Sequence, residues 1–291
     1  MKTRIISGAI MILLAAGIIT LGKLVSPLFL ILFVAVLAGM AVYELVHNAA
    51  GVKSKGAVTV SVIYGGLMVV AINIWSILGQ LNIHFTISLL GKFERTLFLL
   101  TGNLTYILTV LYVIFAVVVI LKQHKNFDLG KIAVFSAMPI LVCYAFSSLS
   151  SIIASVNGIY YLLLLLNFSS VCDMGAYFVG VTLGKHKLCP EISPKKTVEG
   201  AIGGIVSSII VGIIITLCFS EFDKLIATAI ITVPLCALGM IGDLFASSIK
   251  RSVNLKDYSD LIPGHGGILD RFDSVLMIAP LLAIFVEFGV I

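Results

Sequence analysis

Residues 201–219 read AIGGIVSSIIVGIIITLCF. No side chain in that run carries a charge. At 1.5 Å per residue, a helix of this length reaches about 28 Å, close to the hydrocarbon thickness of a bilayer. Outward from it, the stretches 5–22, 27–46, 57–79, 96–121, 132–152, 158–183, 225–246 and 274–291 have the same character. In lipid every backbone polar group must be satisfied internally, which helices achieve segment by segment. The expected fold is therefore all-α, a polytopic integral membrane helical bundle of about nine transmembrane helices.

Composition agrees with that reading. Hydrophobic residues make up 60% of the 291 and charged ones only 11%, against about 25% charged in soluble domains. That excludes a soluble enzyme, a disordered chain and a nucleic-acid binder with a basic surface, so no nucleic acid is expected as a partner. Lys2 and Arg4 precede the first apolar run as in a secretory signal. No small-residue cleavage site follows, so the run is read as a retained helix. With these spans, Lys23, Lys92, Arg95 and Lys224 fall on one side of the membrane, and every other Lys and Arg falls on the opposite side. Cytoplasmic connections are the basic ones. The N-terminus is thus expected in the cytoplasm and the C-terminus outside, in the cell membrane. The five cysteines, Cys143, Cys172, Cys189, Cys218 and Cys236, form no CxxC pair and read as small buried hydrophobes.

Five spans fall in 1–152, an N-terminal transmembrane region. The remainder, 153–291, contains two long polar connections, 184–200 and 247–273, both on the cytoplasmic side. Chemistry is expected where these two segments meet the membrane, in the C-terminal region.

Acids are badly placed there for a purely structural role. Asp173 lies within the sixth span and Asp243 near the cytoplasmic end of the eighth. An acid at the centre of a spanning helix costs about 2.5–3.5 kcal/mol, so each needs a partner or a wet cavity. Continued past the membrane, the eighth helix puts Asp243, Ser247, Lys250 and Arg251 on one stripe. The chain then turns through Pro263-Gly264-His265-Gly266-Gly267 and re-enters as Asp270-Arg271-Phe272-Asp273. Asp270 and Asp273 project from one helical face, and the reversal brings them back toward Asp243. Three converging carboxylates repel unless a cation sits among them, and oxygen ligands without His or Cys favour Mg²⁺. The alternative is a salt-bridged rim, in which Asp270 and Asp273 pair with Lys250, Arg251 and Arg271.

The other segment, Ser193-Pro194-Lys195-Lys196-Thr197-Val198-Glu199-Gly200, reads as a helix start with Ser193 as N-cap and Pro194 as the first helical residue. Lys195 and Lys196 would then occupy a first turn whose dipole opposes cations. A bound phosphate would reconcile them; ordinary positive-inside flanking is the alternative.

Taken together these residues resemble a known family. Ser247-Ser248-Ile249-Lys250-Arg251, Lys256-Asp257 and the run Pro263 to Asp273 are similar to the signature of phosphatidate cytidylyltransferases, or CDP-diacylglycerol synthases. A looser match runs from Asp173 through Ala176-Tyr177 to Gly180, then Ser193 to Thr197 and Glu199-Gly200. Met174 and Val198 depart from it, standing where the family often has a small hydroxyl residue and an aromatic one. The resemblance implies conversion of CTP and phosphatidic acid to CDP-diacylglycerol and pyrophosphate, at a cytoplasmic site in a homodimer. It implies Mg²⁺ on Asp243, Asp270 and Asp273, with a second cation left open, and a catalytic set completed by Lys250 and Arg251. Substrate contacts are expected from Asp173, Lys195, Lys196 and Thr197, and from Glu199, Ser247, His265 and Arg271. His265 reads as a loop-packing or hydrogen-bonding residue, because a phosphate monoester needs little help from a base. An ion-coupled transporter and a CTP-using lipid-alcohol kinase are the rival readings. The first would form no product from CTP and lipid, and the second would release CDP.

Overall fold

A computed structural model describes residues 13–14, 16–22, 26–74 and 92–291. Among the described residues, seven helical stretches are long and apolar enough to cross a membrane: Pro27–Ala49, Lys55–Ile72, Asn103–Lys122, Leu129–Ala154, Gly158–Leu183, Val198–Cys218 and Phe222–Ser252. Each coincides with an apolar run of the sequence. The expected stretch 274–291 is represented by a further helix, Leu269–Glu287, whose first turn is charged. Residues 5–12 and 15 of the expected first span, 75–79 of the third, and 80–91 of the exterior connection lie outside the described residues. The chain divides into two compact units, Met1–Ser150 with Asp257–Leu269, and Ser151–Lys256 with Asp270–Ile291.

The first unit begins with α1, Pro27–Tyr43. Ser26 caps it by accepting the Leu28 N–H at 3.2 Å, and Pro27 stands at a position whose missing N–H costs nothing. Helix α2, Lys55–Ile72, packs along α1 through small residues. Ala35, Ala38 and Gly39 are buried, and Gly65 lies so close to Ala38 that a Cβ there would sit 3.3 Å from its carbonyl oxygen. Such surfaces let backbones approach where lipid offers no hydrophobic driving force. Helices α3 (Lys92–Lys122), α4 (Leu129–Ser136) and α5 (Met138–Ala154) follow. Tyr64 and Tyr112 stack at 4.1 Å, and the Tyr112 hydroxyl donates to the Phe135 carbonyl at 2.8 Å. Along α3, Tyr106, Val110, Leu111, Ile114 and Val117 are exposed. Contiguous apolar exposure of this extent belongs against lipid or a partner. Helix α1 runs on into a π-helical segment, Glu44–Ala49, which buries the carboxylate of Glu44.

In the second unit, α6 (Gly158–Leu166) passes through a π-helical turn, Asn167–Val171, into α7 (Cys172–Leu183). A strand pair follows, β1 (Lys187–Cys189) antiparallel to β2 (Ser193–Thr197). Helices α8 (Val198–Cys218), α9 (Leu225–Ser252) and α10 (Leu269–Glu287) complete it. Several polar residues inside this bundle hydrogen-bond to one another. Asn167 Nδ2 donates to the Ser208 carbonyl at 2.9 Å, and Ser208 Oγ donates to the Asn167 carbonyl at 3.2 Å. The Tyr160 hydroxyl lies 3.2 Å from Thr216 and 3.4 Å from Thr228. Each such interhelical bond contributes about 0.6 kcal/mol.

Two readings of the sequence are corrected here. The bundle is helical throughout its spans, but the connection between α7 and α8 is a two-stranded hairpin. Within it, Ser193 and Pro194 start a strand and do not cap a helix. Thr197 is the N-cap of α8, in extended conformation (φ −125°, ψ 154°), with its Oγ1 accepting the Gly200 N–H at 3.1 Å. The reason is electrostatic as well as conformational. The first turn of α8 carries Glu199 in place of two lysines, and an acid suits the positive end of the dipole. The cysteines also divide: Cys143, Cys172 and Cys236 are buried, Cys189 is half-buried and Cys218 is exposed.

Candidate active site

A cavity of about 560 Å³ opens in the second unit between α7, the hairpin, α8 and α9. Its charged walls are Asp173, Lys187, Lys195, Lys196 and Asp243. Each reaches the cavity for a local reason. Asp173 occupies the first turn of α7, directly after the π-helical turn, a feature frequent at functional sites. Lys195 and Lys196 are presented by β2, and Lys187 by the facing strand, where it pairs in register with Thr197. Thr197 is buried, with Gly180, Gly184 and Gly200 packed around its side chain. The Glu199 carboxylate accepts the backbone N–H groups of Lys185 (3.0 Å) and His186 (3.1 Å) and meets His186 Nδ1 at 2.6 Å. It therefore fastens the start of the hairpin to the start of α8.

Lysines compensate the acids. Lys196 Nζ stands 2.5 Å from Asp243 Oδ2, both side chains being partly exposed to the cavity. Lys250 Nζ donates to Asp270 Oδ1 at 2.6 Å, in a much drier setting: 10% of the Lys250 side chain and 2% of the Asp270 side chain are exposed. The Lys250–Asp270 pair is the one foreseen by the rim reading. Asp273 Oδ1 accepts the Ser274 N–H at 2.7 Å, and the charges of Asp243, Lys250 and Asp173 all act on it. Gly242 makes this juxtaposition sterically possible. A Cβ at that position would lie 2.8 Å from the Asp273 carbonyl oxygen, so only glycine lets α10 come so near α9 beside Asp243.

The remaining expected residues have other surroundings. Ser247 is half-buried, one turn beyond Asp243 on α9. Arg251 is exposed and donates through Nη1 to the Leu255 carbonyl at 3.0 Å, closing the end of α9. Arg271 is exposed in the first turn of α10. His265 belongs to the first unit, where its N–H donates to the Ile262 carbonyl at 2.8 Å in a turn flanked by Gly264 and Gly266, both at φ +78°.

Among the described residues, no three His, Cys, Asp or Glu side chains stand close enough together to hold a metal. Lys196 beside Asp243 and Lys250 beside Asp270 supply counter-charge locally. The donor chemistry still fits Mg²⁺, which is commonly held by one or two carboxylates and completed by water and substrate phosphates. Asp243 lines the cavity where such phosphates would enter.

Two residues of consequence escaped the sequence reading. Lys187 lies in a short strand that no periodicity marks. Glu44 was detectable, because it interrupts an apolar run in the same way as Asp173 and Asp243.

The fold and cavity define a multi-span membrane protein with an ionic pocket lined by three lysines and two aspartates. The sequence matches the model of the cytidylyltransferase family over residues 2–289. It is 34% identical over 284 residues to a phosphatidate cytidylyltransferase of Bacillus subtilis, covering 97% of this chain and 96% of that protein. It is 46% identical over 129 residues to a phosphatidate cytidylyltransferase of Staphylococcus saprophyticus, covering 44% of this chain and 49% of that one. A Staphylococcus haemolyticus protein of the same name matches to the same extent. The chain belongs to the cytidylyltransferase family.

Proposed function

We propose that this protein transfers CMP from CTP to phosphatidic acid, giving CDP-diacylglycerol and pyrophosphate for phospholipid synthesis. The observation that carries the reading is the cavity in which Lys187, Lys195 and Lys196 stand with Asp173 and Asp243, in a chain related over nearly its whole length to a phosphatidate cytidylyltransferase. A phosphate oxygen of the lipid attacks the α-phosphorus of CTP. The new P–O bond forms as the bond from that phosphorus to the β-phosphate oxygen breaks, and pyrophosphate leaves with the electron pair.

Both reactants are anions, so the protein's task is mainly positioning and charge neutralisation. Lys195 and Lys196, with Lys187, take the nucleotide's phosphates. Release of Lys196 from Asp243 as phosphate arrives exchanges one ionic partner for another within the same pocket. Lys250 and Arg251 are assigned to the lipid phosphate or the departing pyrophosphate, with Lys250 also holding Asp270 in place. Thr197 and Glu199 keep the hairpin in register with α8, while Ser247 and Arg271 border the site. His265 serves the reversal loop and takes no proton. Asp243, Asp270 and Asp273 would hold Mg²⁺, which when bound neutralises charge on the transferring and leaving phosphates.

The topology that suits this chemistry has nine spans, the N-terminus in the cytoplasm and the C-terminus outside. Residues 1–152 form the N-terminal transmembrane region and 153–291 the catalytic region, in a homodimer of the cell membrane. CTP then arrives from water and phosphatidic acid from the inner leaflet. The test is the fate of label from CTP incubated with phosphatidic acid and purified protein in detergent. α-³²P should enter the lipid and γ-³²P should leave as pyrophosphate. Label from the γ position in the lipid would make the protein a kinase, and no labelled lipid at all would remove the reading.

A further inference from the structure

Glu44 sits at the end of α1 with 1% of its surface exposed, and no step of the proposed chemistry uses it. Its carboxylate is nonetheless heavily engaged. Oε1 accepts the Ser259 hydroxyl at 2.6 Å and the Ile268 N–H at 2.8 Å, and Oε2 accepts the Leu269 N–H at 2.9 Å. Gly267 packs on the same group, where an added Cβ would lie 2.6 Å from Glu44 Cδ. From the same π-helical segment, Asn48 Nδ2 donates to the Tyr258 carbonyl at 2.7 Å. Two side chains of one helical turn therefore hold both ends of the segment 258–269.

The position of these bonds matters more than their number. Leu269 is the first residue of α10, so its N–H and that of Ile268 are among the donors a helix start leaves unpaired. The three preceding residues, Gly266, Gly267 and Ile268, have no side-chain oxygen to cap it. Glu44 supplies that cap from far away in the sequence, and a carboxylate there also complements the helix dipole. Asp270 follows Leu269 directly, and Asp273 lies one turn on.

We infer that Glu44 is a positioning residue for the transfer reaction: by accepting the Ile268 and Leu269 N–H groups, it fixes the backbone that leads directly into Asp270 and, one turn on, Asp273. The inference rests on the proposed roles of those two aspartates. Glu44→Gln replaces one acceptor oxygen with an amide that must face a backbone N–H, so the start of α10 shifts while the side chain keeps its size. Because the hairpin lysines belong to other elements, the effect should fall on turnover and not on nucleotide affinity. Misplacement of a reacting group by about 1 Å costs on the order of a hundredfold in rate.

The experiment compares kcat and KM for CTP in full-length wild-type, Glu44→Gln, Ser259→Ala and Gly267→Ala proteins in detergent, normalised to folded protein by gel filtration and thermal denaturation. The expected result is a loss of kcat in Glu44→Gln of about a hundredfold, with KM for CTP within about twofold of wild type. Ser259→Ala should lose kcat in the same direction, and combining it with Glu44→Gln should cost less than the two separate losses multiplied. A purely structural Glu44 would lower the yield and melting temperature of its variant but leave kcat per folded molecule intact, which would overturn the inference. Should Glu44→Gln fail to fold, unchanged kcat in both Ser259→Ala and Gly267→Ala would overturn it equally. A wild-type protein that forms no cytidine-bearing lipid would instead count against the proposed reaction itself.

Discussion

In the proposed reaction, Lys196 and Asp243 are the pair that arriving phosphate separates. They stand 2.5 Å apart, with the Lys196 Nζ atom itself buried and the two side chains otherwise partly exposed. Asp243 keeps 31% of its side chain exposed, so Lys196→Met leaves a carboxylate that water can still reach while removing the charge proposed to bind phosphate. Lys196→Met is expected to lower kcat/KM for CTP by at least tenfold, equivalent to about 1.4 kcal/mol of transition-state stabilisation. Its melting temperature should stay near that of the wild type; steady-state kinetics and a thermal-shift assay check the two halves. The Lys250–Asp270 pair behaves differently because it is dry. Asp270→Asn removes the carboxylate charge beside a buried ammonium, and breaking such a buried pair costs about 3–5 kcal/mol. The double variant Lys250→Met/Asp270→Leu should recover much of that stability and none of the turnover. A double variant that recovered activity would show that Asp270 matters only as a structural partner.

At the level of elements, the hairpin and the α9–α10 contact decide what the helices present to the cavity. Gly242 admits the α10 backbone at Asp273, and any larger residue must separate the two helices. Gly242→Val is expected to abolish turnover while the protein still extracts and chromatographs as wild type, measured by product formation per folded molecule. Sequence reasoning found the elements carrying these residues but not all of their local conformations. The stripe Asp243, Ser247, Lys250 on α9 was legible because a helix repeats its faces every three to four residues. The segment Ser193–Thr197 was not, because Ser-Pro is as good a start for an edge strand as for a helix. What separates the two outcomes is Thr197, whose hydroxyl caps Gly200 and moves the helix start past both lysines. The π-helical turns at Glu44 and Asn167 were equally invisible, since one inserted residue leaves no periodic mark in an apolar run. Glu44 was missed for another reason: its partners, Ser259, Ile268 and Leu269, are more than two hundred positions away in the chain.

For the whole molecule, the spans were legible because hydrocarbon thickness imposes a length on every helix that crosses it. Side assignment rests on the distribution of cations, and two native thiols can test it. Cys189 lies in the hairpin and Cys218 at the far end of α8, a helix of 21 residues, about 31 Å long. A membrane-impermeant maleimide should label Cys189 only from the cytoplasmic face and Cys218 only from the opposite one. Labelling of Cys189 in intact cells would reverse the proposed orientation.

The central claim is that the aspartates of α9 and α10, with the lysines of the hairpin, carry out metal-assisted transfer of CMP to phosphatidic acid. Its most direct test is the initial rate of CDP-diacylglycerol formation by purified protein across a Mg²⁺ titration, in the wild type and in Asp243→Asn. The account predicts a rate that depends on Mg²⁺ in the wild type, and at least a hundredfold loss, about 2.7 kcal/mol, in a variant that remains folded. A folded Asp243→Asn protein that turns over at near the wild-type rate, with the same Mg²⁺ dependence, would contradict it.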